Sequence, residues 1–329
     1  MAKRRSSRPR TSPSRSSRSG GSKRGRWSSR PLWALLGLSA LGAAAVVLSS
    51  RRIRPLDDWS GLLDEAPDSK RLLRFPSVTV PVEGPQGILA VADGGHGGIP
   101  VVFVHGLGGA ADQWQGQLEA ARGSRRAVAV ELRGHGRSDP ADDGVYGIEE
   151  YADDVMAVVD DLGFERFALV GHSLGALVTI EVAARHPERV DRLLLVDPNG
   201  DQSGLPREEV EGFLEVFADR PAEELRFHFQ QVLAGAAEGV KERVLADLDN
   251  LDEAAIAQSL GAAGIYPASA RLSAYEGPRQ LLITELNQLP ISLHRLLPEL
   301  PVKLIAGTSH WAMMDDPDSV NDVLRLFLS

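Results

Sequence analysis

The residues with the sharpest chemical potential in this chain are Gly171-His172-Ser173-Leu174-Gly175. A serine hydroxyl is a weak nucleophile until its geometry is fixed and a base removes its proton during attack. The flanks of the pentapeptide offer that geometry. Phe167 to Val170 is a short apolar run with a β-branched end, which predicts a buried strand, and Ala176 to Arg185 carries Leu177, Ile180 and Ala184 at helical spacing. A strand that turns straight into a helix through Gly-x-Ser-x-Gly makes a nucleophile elbow. The serine sits on a sharp, strained turn with its hydroxyl exposed, and the two glycines let strand and helix backbones crowd together. The helix N-terminus also directs free amides toward any nearby oxyanion. The plain alternative is a glycine-rich turn with a solvated serine; the presence of both strand and helix favours the elbow.

The elements that must position Ser173 need a chain able to build a large core. With 329 residues, 43% hydrophobic and 25% charged, the sequence suits one large α/β domain or two small ones. No cysteine is present, which excludes disulfides, thiolate metal sites and a cysteine nucleophile. The net charge of −9 is unevenly distributed: residues 1–54 hold 14 of the 36 Lys/Arg and no Asp/Glu, leaving 22 basic against 45 acidic residues beyond. The body therefore carries −23, a poor charge for binding nucleic acid.

Residues 1–30 consist largely of Arg, Ser, Lys, Gly and Pro and are expected to be a disordered basic tail. Pro31 to Ser50 holds no charge, and as a helix it would reach about 30 Å, the thickness of a bilayer core. It is expected to be a transmembrane anchor. A cleavable signal peptide is the alternative, with Ala43-Ala44-Ala45 as a small-residue cleavage pattern. Eleven Lys/Arg precede the span and three follow it, which predicts a single-pass protein with a cytoplasmic N-terminus and an exported body. Cleavage would instead give a secreted protein. Residues 51–74 read as a linker.

Beyond the linker, apolar runs alternate with helical periodicity. Ser77 to Val82 and Ile88 to Ala92 alternate like strands, Pro100 to Val104 runs into a glycine loop, and Val128 begins a further strand. Ile148 to Leu162 is an amphipathic helix with Tyr151, Val155, Val158, Val159 and Leu162 on one side. This alternation predicts an α/β fold with a parallel sheet covered on both faces. Gly204 to Gly264 fits no strand: Arg207–Phe217, Ala222–Leu233 and Val240–Asp249 have helical spacing, with Leu225, Phe227, Phe229 and Val232 among their apolar positions. Gln280 to Thr284 and Val302 to Ala306 predict two more strands, and Pro317 to Leu328 a closing helix.

In their order and spacing, His105-Gly106, Arg133-Gly-His-Gly-Arg-Ser-Asp139, Gly171-His-Ser-Leu-Gly175 and Ser309-His310 resemble the α/β-hydrolase fold superfamily over about residues 75–328. The resemblance implies a mostly parallel eight-stranded sheet with helices on both faces and a triad in the order Ser, acid, His. It implies a core over 75–200 and 276–329 with a helical cap over 201–275. His310, after a late strand, is the implied base, although Ser309 stands where the family commonly has Gly. The implied oxyanion hole is the backbone N–H groups of Leu107 and Leu174. His105 and His135 fall at family positions that are usually structural, and His172 is expected to point away from the site. His96, His186, His228 and His294 read as solvated or packed.

The acid is where the sequence departs from the pattern. After the seventh strand, Thr284-Glu285-Leu286-Asn287 puts Asn287 at the usual aspartate position. Some members carry the acid at the end of the sixth strand, where Asp197 stands, although Asp-Pro is also a common turn former. Asp197 is the expected partner of His310; Asn287 alone, or Glu285 or Asp201, are the alternatives. The expected function is a serine hydrolase acting on an ester or related acyl bond of a small molecule, with no cofactor, no metal and no nucleic-acid partner. A carbon–carbon bond hydrolase on the same scaffold, and a membrane-tethered binding protein without catalysis, are the competing readings.

Overall fold

The computed structural model describes residues 78–329, and the predicted tail, apolar span and linker lie outside the described residues. Among the described residues no helix is long and apolar enough to cross a membrane.

Eight strands form one sheet: β1 Val78–Gly84, β2 Gly87–Asp93, β3 Val101–Val104, β4 Ala127–Val130, β5 Phe167–His172, β6 Val190–Val196, β7 Arg279–Ile283 and β8 Val302–Leu304. Their order across the sheet is β1-β2-β4-β3-β5-β6-β7-β8. The first two strands pair as an antiparallel hairpin and β2 runs antiparallel to β4, while every later neighbour is parallel. The central strands β3, β4 and β5 are buried at every residue. That is why they read as continuous apolar runs rather than alternating ones. At the far edge β8 is shorter than predicted and its residues are exposed; Ile305, just beyond it, is the one that turns inward.

Helices α1 Gln115–Arg122, α2 Ile148–Asp161, α3 Leu174–Arg185 and α11 Pro317–Leu328 lie close in sequence to core strands. Between β6 and β7 come α4 Arg207–Leu214, α5 Pro221–Val232, α6 Glu238–Asp247, α7 Glu253–Ile265 and α8 Ala268–Ala274. Short helices α9 Leu293–Leu296 and α10 Ala312–Asp315 flank β8. The periodicity predicted α2 to within one residue and α11 at both ends. It did not mark α1, whose apolar face is thin, or α7 and α8, which are rich in alanine and small residues. Phe227 does not belong to the buried face of α5: it is 53% exposed, whereas Leu225, Phe229 and Val232 are buried.

The chain passes from β3 to β4 on one side and then returns to place β5 on the other side of β3. In an open parallel sheet such a reversal leaves a crevice at the carboxyl ends of the two strands, where ligands bind. The loop after β3 and the serine after β5 both open there.

The Arg133-to-Asp139 stretch is held by a buried ion pair. The Arg133 guanidinium donates to both carboxylate oxygens of Asp154 on α2, at 2.7 and 2.6 Å, with the two side chains 3% and 1% exposed. Removing one partner of a buried pair strands the other charge, which costs about 3–5 kcal/mol. Asp154→Ala should lower the unfolding free energy in urea by about that amount. A loss below about 1 kcal/mol, the scale of an exposed pair, would contradict the buried pairing.

Candidate active site

Ser173 sits between β5 and α3 with φ 53° and ψ −118°, in the left-handed half of backbone space where side chains are rarely found. Such a conformation costs on the order of 1–3 kcal/mol and persists only when the surroundings impose it. They do. A Cβ on Gly175 would collide with the carbonyls of Val104 and His105, and one on Gly171 with the Gly175 carbonyl. Only glycines at both places let α3 start hard against β3 and β5.

Asp197 ends β6 and has its own left-handed backbone, φ 42°. Its carboxylate is fully buried and fully used. Oδ1 accepts from the Thr284 N–H at 2.8 Å, and Oδ2 accepts from the Thr284 hydroxyl at 3.0 Å and meets His310 Nδ1 at 2.6 Å. With a carboxylate as acceptor, the Nδ1 proton is the donor, and His310 Nε2 is left with its lone pair. That Nε2 atom is buried and has no partner among the described residues. The other candidates for the acid lie elsewhere. Asn287 donates to the Pro198 carbonyl at 2.8 Å, Glu285 accepts from the Gly307 N–H, and Asp201 accepts from Ser203 and Ser269.

Ser309, out of pattern for the resemblance, has a local task. Its N–H and hydroxyl both donate to Asp315, at 2.8 and 2.5 Å, and its Oγ accepts from the Trp311 N–H, so it fixes the turn that carries His310. His172 does not turn away from the site as expected. Its Nε2 donates to the His310 carbonyl at 2.9 Å and the two rings lie 4.6 Å apart, so His172 packs against the candidate base. His105 ties two loops together: Nε2 accepts from the Leu132 N–H, so Nδ1 donates to the Gly106 carbonyl. His135 donates from Nδ1 to the Arg133 carbonyl. Both are structural, as expected, and His96 is exposed.

One cavity joins these parts, with about 470 Å³ of empty space counted out to its mouth. Ser173 and His310 border it, as do Leu107 and Leu174. Leu174 begins α3, so its N–H has no acceptor within the helix. Leu107 lies inside the turn closed by the Gly109 N–H on the Gly106 carbonyl. Two further residues complete the site. Asn199 Oδ1 accepts the Ser173 hydroxyl at 3.1 Å, so the serine is turned to Asn199 and not to His310. His228 of α5 reaches the same cavity from the helices between β6 and β7. Sequence reasoning missed both: the available signals were that Asn199 follows the carboxyl end of β6 and that His228 shares the apolar stripe of Leu225 and Phe229.

This architecture decides the ancestry. Residues 99–243 match the alpha/beta hydrolase fold family. The chain belongs to the α/β-hydrolase superfamily. It is 30% identical over 244 residues to the dihydrolipoyllysine-residue acetyltransferase component of the acetoin cleaving system of Pseudomonas putida, covering 71% of this chain and 65% of that one. The chain thus spans just under two thirds of that relative. It is 26% identical over 256 residues to an sn-1-specific diacylglycerol lipase of Mus musculus, covering 70% of this chain and 80% of the lipase. A thermophilic esterase from Thermogutta terrifontis shares the fold with a TM-score of 0.65 at 24% identity, over 77% of this chain and 98% of the esterase. This chain closes its sheet with an antiparallel hairpin at one edge and sets its glycine-flanked serine directly after β5.

Burial pushes His105 down to about 4 and His135 down to about 3, where the neighbouring His105 adds to the effect. Both imidazoles are therefore neutral in the folded protein near neutral pH. The unfolded chain takes up these protons below about 6.5, before the folded chain does, so stability should fall as pH drops through that window toward 4. Each group contributes a slope of at most about 1.4 kcal/mol per pH unit. Urea unfolding measured near pH 7, 6 and 5 should show the decline, and a flat profile would contradict two buried neutral histidines.

Proposed function

We propose that this protein is a serine hydrolase that cleaves an ester or related acyl bond of a small molecule. The observation that carries the reading is the His310 imidazole, held at Nδ1 by Asp197 and unpartnered at Nε2, in one cavity with a strained Ser173. In the proposed reaction the Ser173 hydroxyl leaves Asn199 and turns to His310. Its Oγ attacks the acyl carbon as its proton passes to Nε2, and Asp197 stabilises the imidazolium that forms. The oxyanion is held by the N–H groups of Leu107 and Leu174. Collapse expels the alcohol, which takes the proton from Nε2. Water, deprotonated by the same nitrogen, then releases the acid and restores the serine.

The Asp197 contact weighs against the reading as a binding protein without catalysis, whose motive was Asn287 at the usual acid position. An amide there has no imidazolium to stabilise if the charge comes from the neighbouring strand. The helices over 201–275 serve in this reading as a cap that closes the apolar side of the cavity. The segment 31–50 is proposed as a membrane anchor that leaves the basic tail in the cytoplasm and carries the acidic body outward.

The mechanism makes ordered predictions. A fluorophosphonate probe should label wild-type protein, and Ser173→Ala or His310→Ala should each lower ester turnover by about 10⁴-fold or more while the double variant is no worse. Turnover within a few-fold of wild type in Ser173→Ala would end the proposal. Asp197→Asn should lower kcat by roughly 10³–10⁴-fold with little change in KM, and Asn287→Asp should not raise activity. The reverse order would assign the acid to the Asn287 position. For the anchor, protease added to intact spheroplasts should digest the body and spare the tail; a body protected until lysis would overturn the orientation.

A further inference from the structure

His228 stands out among the groups the proposed mechanism leaves idle. It borders the cavity from α5 beside Leu225 and Phe229, and its Nε2 atom has neither solvent contact nor a hydrogen-bond partner among the described residues. A buried polar nitrogen without a partner is costly to keep, so a site that keeps one has a use for it or a water on it. Unlike His310, which Asp197 orients, His228 has no carboxylate bonded to it among the described residues. Burial, with a smaller effect from His310, pushes its imidazole down to about 4. At neutral pH it is a neutral group that both donates and accepts hydrogen bonds.

The rest of the cavity defines the matching ligand chemistry. Its polar side chains are His172, Ser173, Asn199, Ser259 and His310, and among the described residues no Lys or Arg lines it. His172 Nε2 is taken by the His310 carbonyl and His310 Nδ1 by Asp197, leaving His172 Nδ1 and the His310 Nε2 that the reaction uses; Ser173 is tied to Asn199, and Ser259 to Tyr151. His228 is therefore the polar group of the wall over 201–275 that is free to meet a substrate. Away from the Leu107 and Leu174 amides, which the proposed reaction reserves for the oxyanion, no cation is there to offset a carboxylate's loss of water. A neutral oxygen needs only one hydrogen bond.

We propose that His228 is a specificity-determining residue that hydrogen-bonds a neutral oxygen of the substrate (a ketone, hydroxyl or ether) away from the scissile carbonyl. This deepens the acyl-hydrolase reading and rests on it for the substrate class. The atom engaged is Nε2, and the oxygen replaces a partner the folded protein lacks. Sites built to bond a polar group reject analogues that lack it, because the protein atom is then left unpaired.

The test measures binding in Ser173→Ala protein, so that turnover is not required. Two matched ester pairs are compared by calorimetry: nitrophenyl levulinate against nitrophenyl pentanoate, and methoxyethyl against butyl pentanoate. The inference expects the oxygen-bearing member of at least one pair to bind about tenfold more tightly. Adding His228→Leu should bring that ratio near one, and adding His228→Gln, which still donates and accepts, should retain much of it. Equal binding within both pairs overturns the inference, as does a preference that survives His228→Leu. A preference for pentanedioate monoesters over pentanoate esters would overturn the neutral-oxygen assignment in favour of a carboxylate. Thermal unfolding checks that each variant is folded, and where His228→Leu is not, the Ser173→Ala comparison alone decides. Absence of fluorophosphonate labelling in wild-type protein would count against the hydrolase reading and leave this binding comparison standing.

Discussion

The close approach of α3 to β3 at Gly175 governs the geometry of the whole site. Because no side chain intervenes, the helix starts against the Val104 and His105 carbonyls, and the turn before it has only a left-handed backbone available at Ser173. That turn puts the hydroxyl at the carboxyl end of the central strand, where the reversal of strand order opens a crevice. The same contact sets the first amide of α3 beside the loop after β3. Gly106 repeats the theme from the other side, since a Cβ on it would press on the Ser173 Cβ and the His172 ring. The candidate nucleophile, the two candidate oxyanion amides and the cavity floor thus follow from one crowded junction.

Much of this could be read from residue types because the constraint is local. Gly171, Ser173 and Gly175 lie within one turn of chain, and the apolar runs that flank them need no knowledge of the rest. The fully buried strands and α11 were legible for the same reason: their patterns are strong and their ends are marked, α11 by Asp316 accepting from the Ser319 N–H with Pro317 at the first helical position. Helices with little contrast between faces were not. In α7 the run Ala254-Ala255-Ile256-Ala257 carries almost no amphipathic signal, and its burial comes from neighbours far along the chain.

The residues around the base were harder, because their partners come from four separate elements. Thr284 looks like an ordinary strand end until β7 lies beside β6 and its N–H and hydroxyl both meet Asp197. Ser309 reads as a departure from pattern, yet it locks the His310 turn onto Asp315. His172 seemed set to leave the site because of its place before the serine. Its ring lies 4.6 Å from that of His310, with Trp114 edge-on at 6.4 Å and Trp311 tilted at 5.9 Å. In each case the side chain's role is a tertiary fact, and no spacing along the chain encodes it.

The position of the charge is the physical reason an amide can stand at 287. Asp197 uses both carboxylate oxygens on Thr284 and His310, and its own N–H donates to the Leu282 carbonyl at 2.7 Å, so it is held from backbone and side chain alike. A second carboxylate at 287, in the loop after β7, would replace the buried amide that now donates to the Pro198 carbonyl beside Asp197. An aspartate there could not donate while ionised, and it would place a like charge near Asp197, raising the cost of keeping either one ionised. The amide avoids both penalties and uses its donor to hold the loop that Asp197 starts. Asn287 and Asp197 thus form one arrangement, in which a single buried charge faces the imidazole and the neighbouring strand supplies the hydrogen bonds that keep it there.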